Sequence, residues 1–506
     1  MFILIYLLGL SLLFLISSRD FKITERLALA MPMGLGLTTF IMFLLDRATH
    51  AITIGGVLMS VAICAIAMAA IRAALDLKAG DPVWKRPRPK VDMSWLTLVW
   101  IAFAGITSYL VYGIAIKGLY WPTHDFDAIE GYDLLSKAIA HEHTIANSVL
   151  TNAYIVQGCG PRLLYPPLFA LSNSLCYMTG MEMPGIVTTS FFISWAFMFY
   201  LLLRRFVSPT NAIIFTFLTV TIPEMFYRAS VCGTNLPCAI YSTCAVMAFL
   251  VWYNDRDKEG FFYLSYISII FSIWTRSEAV LFLAPIMGVL LFMSIREKTF
   301  KHIIIYATSV IPFLAWNMFL KAHVTRAQTE FFEPKLFYDG AKMKQILDAA
   351  WGLMKASNLY GLTFYILIGA FFLGIIINIA TNFQRNKFVL GALVLWLVIA
   401  AVAGINLFTL ILFFALIAFS TIWNGERWEL LAIFVLSLGA YTLLFYQMKN
   451  NNGDLFNPGG WMQSGYKRGL FSYAPLAYFY IATSKWVNLA FTKLDEKMAI
   501  FKKPAA

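Results

Sequence analysis

Long apolar runs recur along the whole chain, and they constrain its fold more than any other feature. Runs of about 15–25 apolar residues follow one another from Phe2 to Leu489, and each has the length that an α-helix needs to cross a bilayer. Of the 506 residues, 60% are hydrophobic and only 13% are charged, so few polar side chains remain to solvate a separate soluble domain. The sequence therefore predicts an all-α polytopic membrane protein.

We expect about 13–15 transmembrane helices, with shorter juxtamembrane helices on the outer face. The expected spans are Phe2–Ser17, Leu27–Leu45, Ile52–Ile71, Ser94–Lys117, Pro184–Leu203, Asn211–Phe226, Leu236–Tyr253, Phe261–Trp274, Ala279–Ser294, Ile303–Leu320, Leu362–Thr381, Phe388–Gly404, Asn406–Trp423, Trp428–Tyr446 and Leu470–Leu489. The first run lacks a basic n-region and a small-residue cleavage site, so it is expected to be a span and not a cleavable signal.

The Lys and Arg residues predict the orientation of these spans. With the N-terminus outside, most basic residues fall in the shorter loops of one side, as the positive-inside rule requires. This asymmetry accounts for the net charge of +12 and leaves no basic face for a nucleic acid. We therefore expect a multi-pass protein of the inner or plasma membrane with a cytoplasmic C-terminus.

The loops divide the chain into three regions. Residues 1–93 form a three-span region that ends in a basic linker, and residues 94–320 include a first outer loop at 118–183. Residues 321–506 hold the remaining spans and two further outer loops at 322–361 and 447–469. These outer loops exceed the length of a simple turn, so any chemistry is expected there.

The first outer loop opens with two carboxylates, Asp125 and Asp127, directly beside His124. Carboxylates so close to an apolar boundary are costly unless they are paired, hydrogen-bonded or used. A polar face and an apolar face then follow at helical spacing, namely Asp127, Glu130, Asp133 and Lys137 against Ile129, Tyr132, Leu135 and Ile139. This pattern predicts a helix lying in the membrane interface, for which a solvated polar face is the simpler interpretation.

Three more polar motifs follow at predicted outer positions. They are Arg162-Leu163-Leu164-Tyr165-Pro166-Pro167-Leu168, then Thr275-Arg276-Ser277-Glu278, and finally Lys467-Arg468-Gly469 before Leu470-Phe471-Ser472-Tyr473-Ala474-Pro475-Leu476. Adjacent cations at an outer mouth oppose the positive-inside tendency, so Lys467 and Arg468 call for an anionic partner such as a lipid phosphate. For Arg276 and Glu278, mutual neutralisation at the membrane boundary is an equally good interpretation.

The order of these motifs resembles the C-type glycosyltransferase superfamily (GT-C), especially bacterial enzymes related to aminoarabinose and protein O-mannosyl transferases. The resemblance extends from about Trp121 to Leu476. It implies transfer of a sugar from a polyprenyl-phosphate donor to an acceptor on the extracytoplasmic face, with inversion at the anomeric carbon. The acceptor would be a lipid-linked glycan, a cell-envelope polysaccharide, a lipid or a protein.

The resemblance also implies roles for individual residues. Asp127, followed by Ala128, best matches the family's general base, with Asp125 close behind and Glu278 as a further acid. The donor phosphate would be met by cations, for which the candidates are Arg276, Lys467, Arg468 and Arg162. The remaining candidates for the substrate pocket are Tyr165, His124 and Asn235.

A metal is not specified by the sequence, although the resemblance allows a divalent Mg²⁺ or Mn²⁺. Many relatives carry Asp where this chain has Asn235, and an amide is neither a base nor a charged metal ligand. Glu224 is the nearest acid in sequence that would take its place. Among the cysteines, Cys232 and Cys238 would form the shortest disulfide.

Two other functions remain in competition. A lipid-linked glycan ligase or polymerase would share the outer cations but would use a diphosphate-linked oligosaccharide. A lipid or solute transporter would show ionisable residues in the middle of its spans, whereas most charges of this chain lie in loops or at span ends. Loss of transfer in an Asp127→Asn variant would favour the glycosyltransferase over both.

Overall fold

The structure, a computed structural model, describes residues 1–17, 19–79, 95–324, 339–370, 373, 428–448, 455–457 and 460–500. Over these residues the chain is almost entirely helical and contains no β-strand. The predicted all-α polytopic class is therefore confirmed.

The described helices of ten or more residues are Phe2–Ile16, Ile23–Thr49, Ile54–Ala79, Trp95–Tyr120, Asp133–Glu142, Leu168–Met178, Gly185–Leu203, Pro209–Val220, Asn235–Asn254, Glu259–Thr275, Val280–Glu297, Ile311–His323, Gly340–Lys355, Trp428–Tyr446, Ala474–Thr483 and Lys485–Ile500. The shorter helical segments are Ala128–Tyr132, Ser148–Thr151, Ala153–Cys159, Gly160–Leu164, Pro223–Ala229, Ser277–Ala279, Lys301–Ala307, Thr308–Val310, Ser357–Tyr360, Met462–Tyr466, Lys467–Leu470 and Phe471–Tyr473.

Eight helices of the described part are long and apolar enough to cross a membrane, or nine if the bent pair Pro209–Val220 and Pro223–Ala229 is one span. The expected span Leu470–Leu489 is instead broken at Ser484, where the backbone turns extended between two shorter helices. The expected spans Phe388–Gly404 and Asn406–Trp423, with half of Leu362–Thr381, lie outside the described residues.

The helix Asn235–Asn254 lies at the centre of the molecule, and 94% of its most apolar stretch is buried inside the protein. It packs along Glu259–Thr275, and the Tyr241 hydroxyl donates to the Pro32 carbonyl at 2.6 Å. Pro32 belongs to the second helix, Ile23–Thr49, and 72% of the most apolar stretch of that helix is buried. The N-terminal region therefore shares the core of the rest of the chain.

Two pairs of helices cross at glycines, where their backbones touch. A Cβ atom on Gly9 would lie 1.8 Å from the Ala30 carbonyl oxygen, and one on Gly34 would lie 1.9 Å from the Ile5 carbonyl oxygen. Gly118 and Gly185 meet in the same way, because a Cβ on Gly185 would lie 2.6 Å from the Gly118 carbonyl oxygen. Small residues that permit such contact are typical of helix packing in membranes.

Polar contacts tie the connecting loops together at both ends of the helices. At one end, Arg205 donates to Glu25 at 2.7 Å, and the Gly260 amide donates to Asp20 at 2.8 Å. The other end, which holds Tyr120, Asn235 and Thr275, is called the site end. The positive-inside rule predicts that the loops of the first end are cytoplasmic. The contacts show that these loops lie together at one end of the helices.

The long loop of the site end is attached to the N-terminal helices through Asp46. This carboxylate is fully buried and accepts from the Thr144 hydroxyl at 2.8 Å and the Ile145 amide at 3.1 Å. Nearby, the Ile52 amide donates to the His143 carbonyl at 2.6 Å. The N-terminal region therefore fixes the position of the loop that carries Asp125 and Asp127.

Candidate functional site

Charged side chains from distant parts of the sequence meet at the site end. They come from the first long loop, from the turns beside two central helices, and from the segment before the Ala474–Thr483 helix. The members joined by direct contacts are Asp125, Asp127, Glu130, Arg162, Tyr165, Glu224, Arg228, Thr234, Asn235, Arg276, Glu278 and Arg468. Most of the candidates from the sequence are thus brought together.

Asp127, the predicted base, is held between two guanidinium groups. Its Oδ1 accepts from Arg162 Nε at 2.6 Å, and its Oδ2 pairs with Arg468 Nη1. Arg162 also donates to Glu130 at 3.1 Å and lies over the ring of Phe126. Asp127 is only 8% exposed, so both of its oxygens are oriented by these contacts and not by bulk water.

Asp125 belongs to a second ion pair behind Asp127. Its Oδ2 accepts from Arg228 Nη1 at 3.1 Å, and its Oδ1 accepts from the Asp127 amide at 3.0 Å. Arg228 also pairs with Glu224 at 2.9 Å, and both of these side chains are about 95% buried. Glu224 therefore supports Arg228, and it does not replace Asn235 beside Arg276.

Arg276 is the centre of a third group, which includes Asn235. Its Nη1 donates to Thr234 and Asn235, and its Nη2 donates to Glu278 at 2.8 Å and to Tyr165 at 3.0 Å. The Tyr165 hydroxyl in turn donates to Glu278 at 3.2 Å. Arg276 and Glu278 thus neutralise each other. Arg276 also contacts uncharged side chains, which neutralisation does not require.

The protonation states of this group follow from its surroundings. Burial alone would lower the pKa of the Arg276 guanidinium, but the Glu278 carboxylate and the phenols of Tyr165 and Tyr132 together outweigh burial, and the pKa lies well above its ordinary value. Burial raises the pKa of the Tyr165 phenol well above its ordinary value. Arg276 is therefore a permanent cation, and Tyr165 is a permanent hydrogen-bond donor.

A cleft opens between the groups of Arg276 and Arg468. Its cavity volume is about 20 Å³, and the cleft is partly open to the exterior. Its polar lining includes Asn235, Arg276, Glu278, Arg468 and Ser472, and its apolar lining is formed by Cys238, Ala279, Phe282, Gly469, Tyr441 and Tyr473. A cleft with aromatic walls and a few converging polar groups is typical of a small-molecule site.

The segment that carries Lys467 and Arg468 is held by tyrosine hydroxyls. Tyr441 donates to the Gly465 carbonyl at 3.0 Å, and Tyr360 donates to the Lys467 carbonyl. Gly469 lies directly against Tyr441, because a Cβ atom there would fall 2.0 Å from the phenol oxygen. The backbone of Arg468 is therefore fixed while its side chain reaches across to Asp127.

Several site residues were not identified from the sequence. Arg228 and Thr234 stand in short segments without a recognisable motif. Gly131 lies against Arg162, since a Cβ atom there would fall 2.7 Å from the Arg162 Cβ. A glycine inside a predicted amphipathic helix is a signal of close approach that was available in the sequence.

The helix predicted after Asp127 is present but is not regular. It begins as a π-helix at Ala128–Tyr132 and continues as an α-helix at Asp133–Glu142. Asp133 is only 2% exposed and contacts Lys137 and Tyr177, whereas Ile129 is 52% exposed. The simpler interpretation of a solvated polar face is therefore wrong for Asp127 and Asp133, which are buried, although Lys137 on the same predicted face is exposed.

Two candidates differ from the others. His124 is exposed, and its Nδ1 lies 3.3 Å from the Pro122 carbonyl oxygen, outside the ion-pair network. Lys467 makes no ion pair with any described residue, although its neighbour Arg468 does. The Cys232–Cys238 disulfide is not formed, since all six cysteines are free thiols and Cys238 contacts Ser272 instead.

The site does not have the features of a metal centre. In the part of the chain that the structure describes, no group of three or more His, Cys, Asp or Glu side chains is arranged to hold an ion. Asp125, Asp127 and Glu224 are each paired with arginine, which neutralises charge that would otherwise attract a divalent cation.

Comparison with models of known protein families, with curated proteins and with solved structures finds no match for this chain. The function is therefore inferred from the residues of the site end and their chemistry.

Proposed function

We propose that this protein is a membrane glycosyltransferase of the C type. It transfers a sugar from a polyprenyl-phosphate donor to an acceptor hydroxyl or amine, and its site end faces the extracytoplasmic side. The acceptor is a lipid-linked glycan, an envelope polysaccharide, a lipid or a protein.

One observation carries this proposal. The carboxylate of Asp127 lies in direct contact with Arg468, and Arg468 lines a cleft with Arg276 and Glu278. An inverting transfer needs a carboxylate that takes the acceptor proton and a cation that meets the departing phosphate. These two kinds of group are far apart in sequence but belong to one site, as such a reaction requires.

The reaction balances as a single displacement. The acceptor oxygen or nitrogen attacks the anomeric carbon while its proton passes to an oxygen of Asp127. The bond between the anomeric carbon and the phosphate oxygen breaks, and its electron pair leaves with the polyprenyl phosphate. The phosphate gains negative charge in this step, so a guanidinium in contact with the phosphate stabilises the transition state more than the ground state.

The remaining site residues orient these groups. Asp125 accepts the amide of Asp127 and is itself held by Arg228, which fixes the start of the loop. Glu278 is oriented by Arg276 and Tyr165, and its second oxygen, Oε2, is buried without a hydrogen-bond partner among the described residues. A hydroxyl of the donor sugar would satisfy that oxygen, since buried acceptors are normally paired.

The decisive experiment measures sugar transfer in nanodiscs from a panel of radiolabelled polyprenyl-monophosphate sugars. We expect at least one donor to be consumed by the wild type and not by Asp127→Asn. Glu182→Gln is the matched control, because Glu182 is an exposed carboxylate in the same long loop. Consumption of diphosphate-linked oligosaccharides alone, with Asp127→Asn fully active, would instead identify a ligase or polymerase.

A further inference from the structure

Four cations are predicted from the sequence to bind the donor phosphate. They differ in how many hydrogen bonds they already donate to other groups. Arg162 donates to Asp127, to Glu130 and to the Cys159 carbonyl. The acceptors of Arg276 are Thr234, Asn235, Tyr165 and Glu278. Both arginines are therefore committed to holding other site residues, and a phosphate would have to displace several contacts from either one.

Arg468 is different, because its only ion-pair partner in the described structure is Asp127. Its Nε is buried and has no hydrogen-bond partner among the described residues. Burial lowers the pKa of this guanidinium, although the Asp125 carboxylate opposes that effect. The side chain thus lies in a low-dielectric cleft with an unused donor, which is the condition in which a second anion binds most favourably.

The contact between Asp127 and Arg468 also hinders the action of Asp127 as a base. Each oxygen of Asp127 already accepts from a guanidinium group, so one acceptor site on each oxygen is used and the approach of an acceptor hydroxyl is restricted. A general base must come within hydrogen-bond reach of the proton that it takes. Loss of one of the two arginines would therefore open an oxygen of Asp127 fully to the acceptor.

We propose that Arg468 is an exchangeable partner, which neutralises Asp127 in the empty site and transfers to the phosphate of the polyprenyl donor when the donor binds. This inference rests on the proposed function and adds an order of events to it. Donor binding frees Asp127 Oδ2 for the acceptor, while Arg162 keeps Asp127 oriented through Oδ1. The base thus becomes available only when a donor is present.

The surroundings of Arg468 favour a movement of the side chain alone. Tyr441 and Tyr360 hold the carbonyls of Gly465 and Lys467, so the backbone on the N-terminal side of Arg468 is fixed. Lys467, which makes no ion pair with a described residue, is adjacent and adds a second positive charge for the phosphate. The interaction of Arg468 with the phosphate becomes stronger during the reaction, because the leaving phosphate becomes more negative as its bond to the sugar breaks.

The test is equilibrium binding of polyprenyl monophosphate without a sugar to the full-length protein in nanodiscs. Arg468→Gln is expected to bind this lipid at least tenfold more weakly. Asp127→Asn is expected to bind it at least as tightly as the wild type, because the competing carboxylate charge is removed. Lys137→Gln is the matched control, because Lys137 is an exposed cation of the same long loop that pairs with Asp133, and it is expected to change binding less than threefold.

Arg468→Gln leaves Asp127 Oδ2 without its partner, so folding is checked with the double variant Asp127→Asn/Arg468→Gln, which removes both charges. Weak binding by this double variant with a normal melting temperature supports the inference. Normal binding by Arg468→Gln would overturn it. So would a loss of binding in Asp127→Asn equal to that in Arg468→Gln, since Asp127 would then only position the arginine.

Competition separates the possible sources of the phosphate. Excess inorganic phosphate and phosphatidylglycerol in the nanodisc are expected not to displace the polyprenyl lipid, and displacement by either would overturn the assignment to the donor. If the wild type binds no polyprenyl phosphate, the proposed function and this inference fail together. If the wild type transfers sugar but Arg468→Gln binds and transfers normally, only this inference fails.

Discussion

At the scale of single residues, the site is a set of carboxylates that are each oriented by an arginine. Asp127 contacts Arg162 and Arg468, Asp125 contacts Arg228, and Glu278 contacts Arg276. Removing one member of a buried pair is costly because the other charge is left uncompensated. Substitutions in this network are therefore expected to affect both activity and stability, and charge-neutral double variants separate the two effects.

The pair of Glu278 and Arg276 gives the first prediction. Glu278→Gln is expected to lower the transfer rate at least tenfold and to lower the melting temperature, because Arg276 loses its carboxylate partner at 2.8 Å. The double variant Arg276→Gln/Glu278→Gln is expected to recover much of the stability but not the activity. An unchanged rate in Glu278→Gln would show that Glu278 does not contribute to the site.

The contact between Gly469 and Tyr441 gives the second prediction. Gly469→Ala is expected to abolish most activity and to lower the melting temperature, since its Cβ atom would lie 2.0 Å from the Tyr441 ring. Gly465→Ala is the control, because its Cβ atom would lie 3.4 Å from Phe445, which is ordinary contact. Equal behaviour of the two variants in transfer assays and thermal melts would contradict the close packing described for Gly469.

At the scale of elements, the long loop depends on the N-terminal helices through Asp46. Asp46→Ala removes the acceptor for the Thr144 hydroxyl and the Ile145 amide, and an unpaired buried donor costs about 1–3 kcal/mol. We expect a lower melting temperature and faster proteolysis within residues 118–183. Asp257→Ala, at an exposed carboxylate of the opposite end, is expected to leave both unchanged.

The sequence predicted the existence of the loop helix better than its geometry. Periodicity placed a helix after Asp127 and gave Tyr132, Leu135 and Ile139 to the buried face, as observed. The same periodicity assumed a uniform turn, so it missed the π-helix at Ala128–Tyr132 and the burial of Asp133. A π turn is set by tertiary contacts and leaves no regular pattern in the sequence.

At the scale of the whole molecule, hydropathy predicted a bundle of membrane helices, and the described helices confirm that class. The candidate residues were also found one motif at a time, from charges at span boundaries. Their meeting at one end was not predictable from spacing, because Asp127 and Arg468 are separated by most of the chain. Arg228 and Gly131 were missed since neither forms a motif by itself.

The orientation of the molecule gives a further prediction. Glu182 is exposed in the long loop that carries Asp125 and Asp127, and Asp257 is exposed at the opposite end, so cysteines at these positions report the two sides. Glu182→Cys is expected to react with an impermeant maleimide in intact cells, and Asp257→Cys only after permeabilisation. Labelling of both from the same side would contradict the proposed orientation.

The central claim is that Asp127 is the base of a polyprenyl-phosphate-dependent sugar transfer. The most direct measurement compares the rate of sugar transfer from a polyprenyl-monophosphate donor by the wild type and by Asp127→Asn, both folded in nanodiscs. We expect the wild type to transfer and the variant to be slower by about 10²–10⁴-fold, the usual contribution of a general base. A variant as fast as the wild type, or a wild type that uses no monophosphate donor, would contradict the claim.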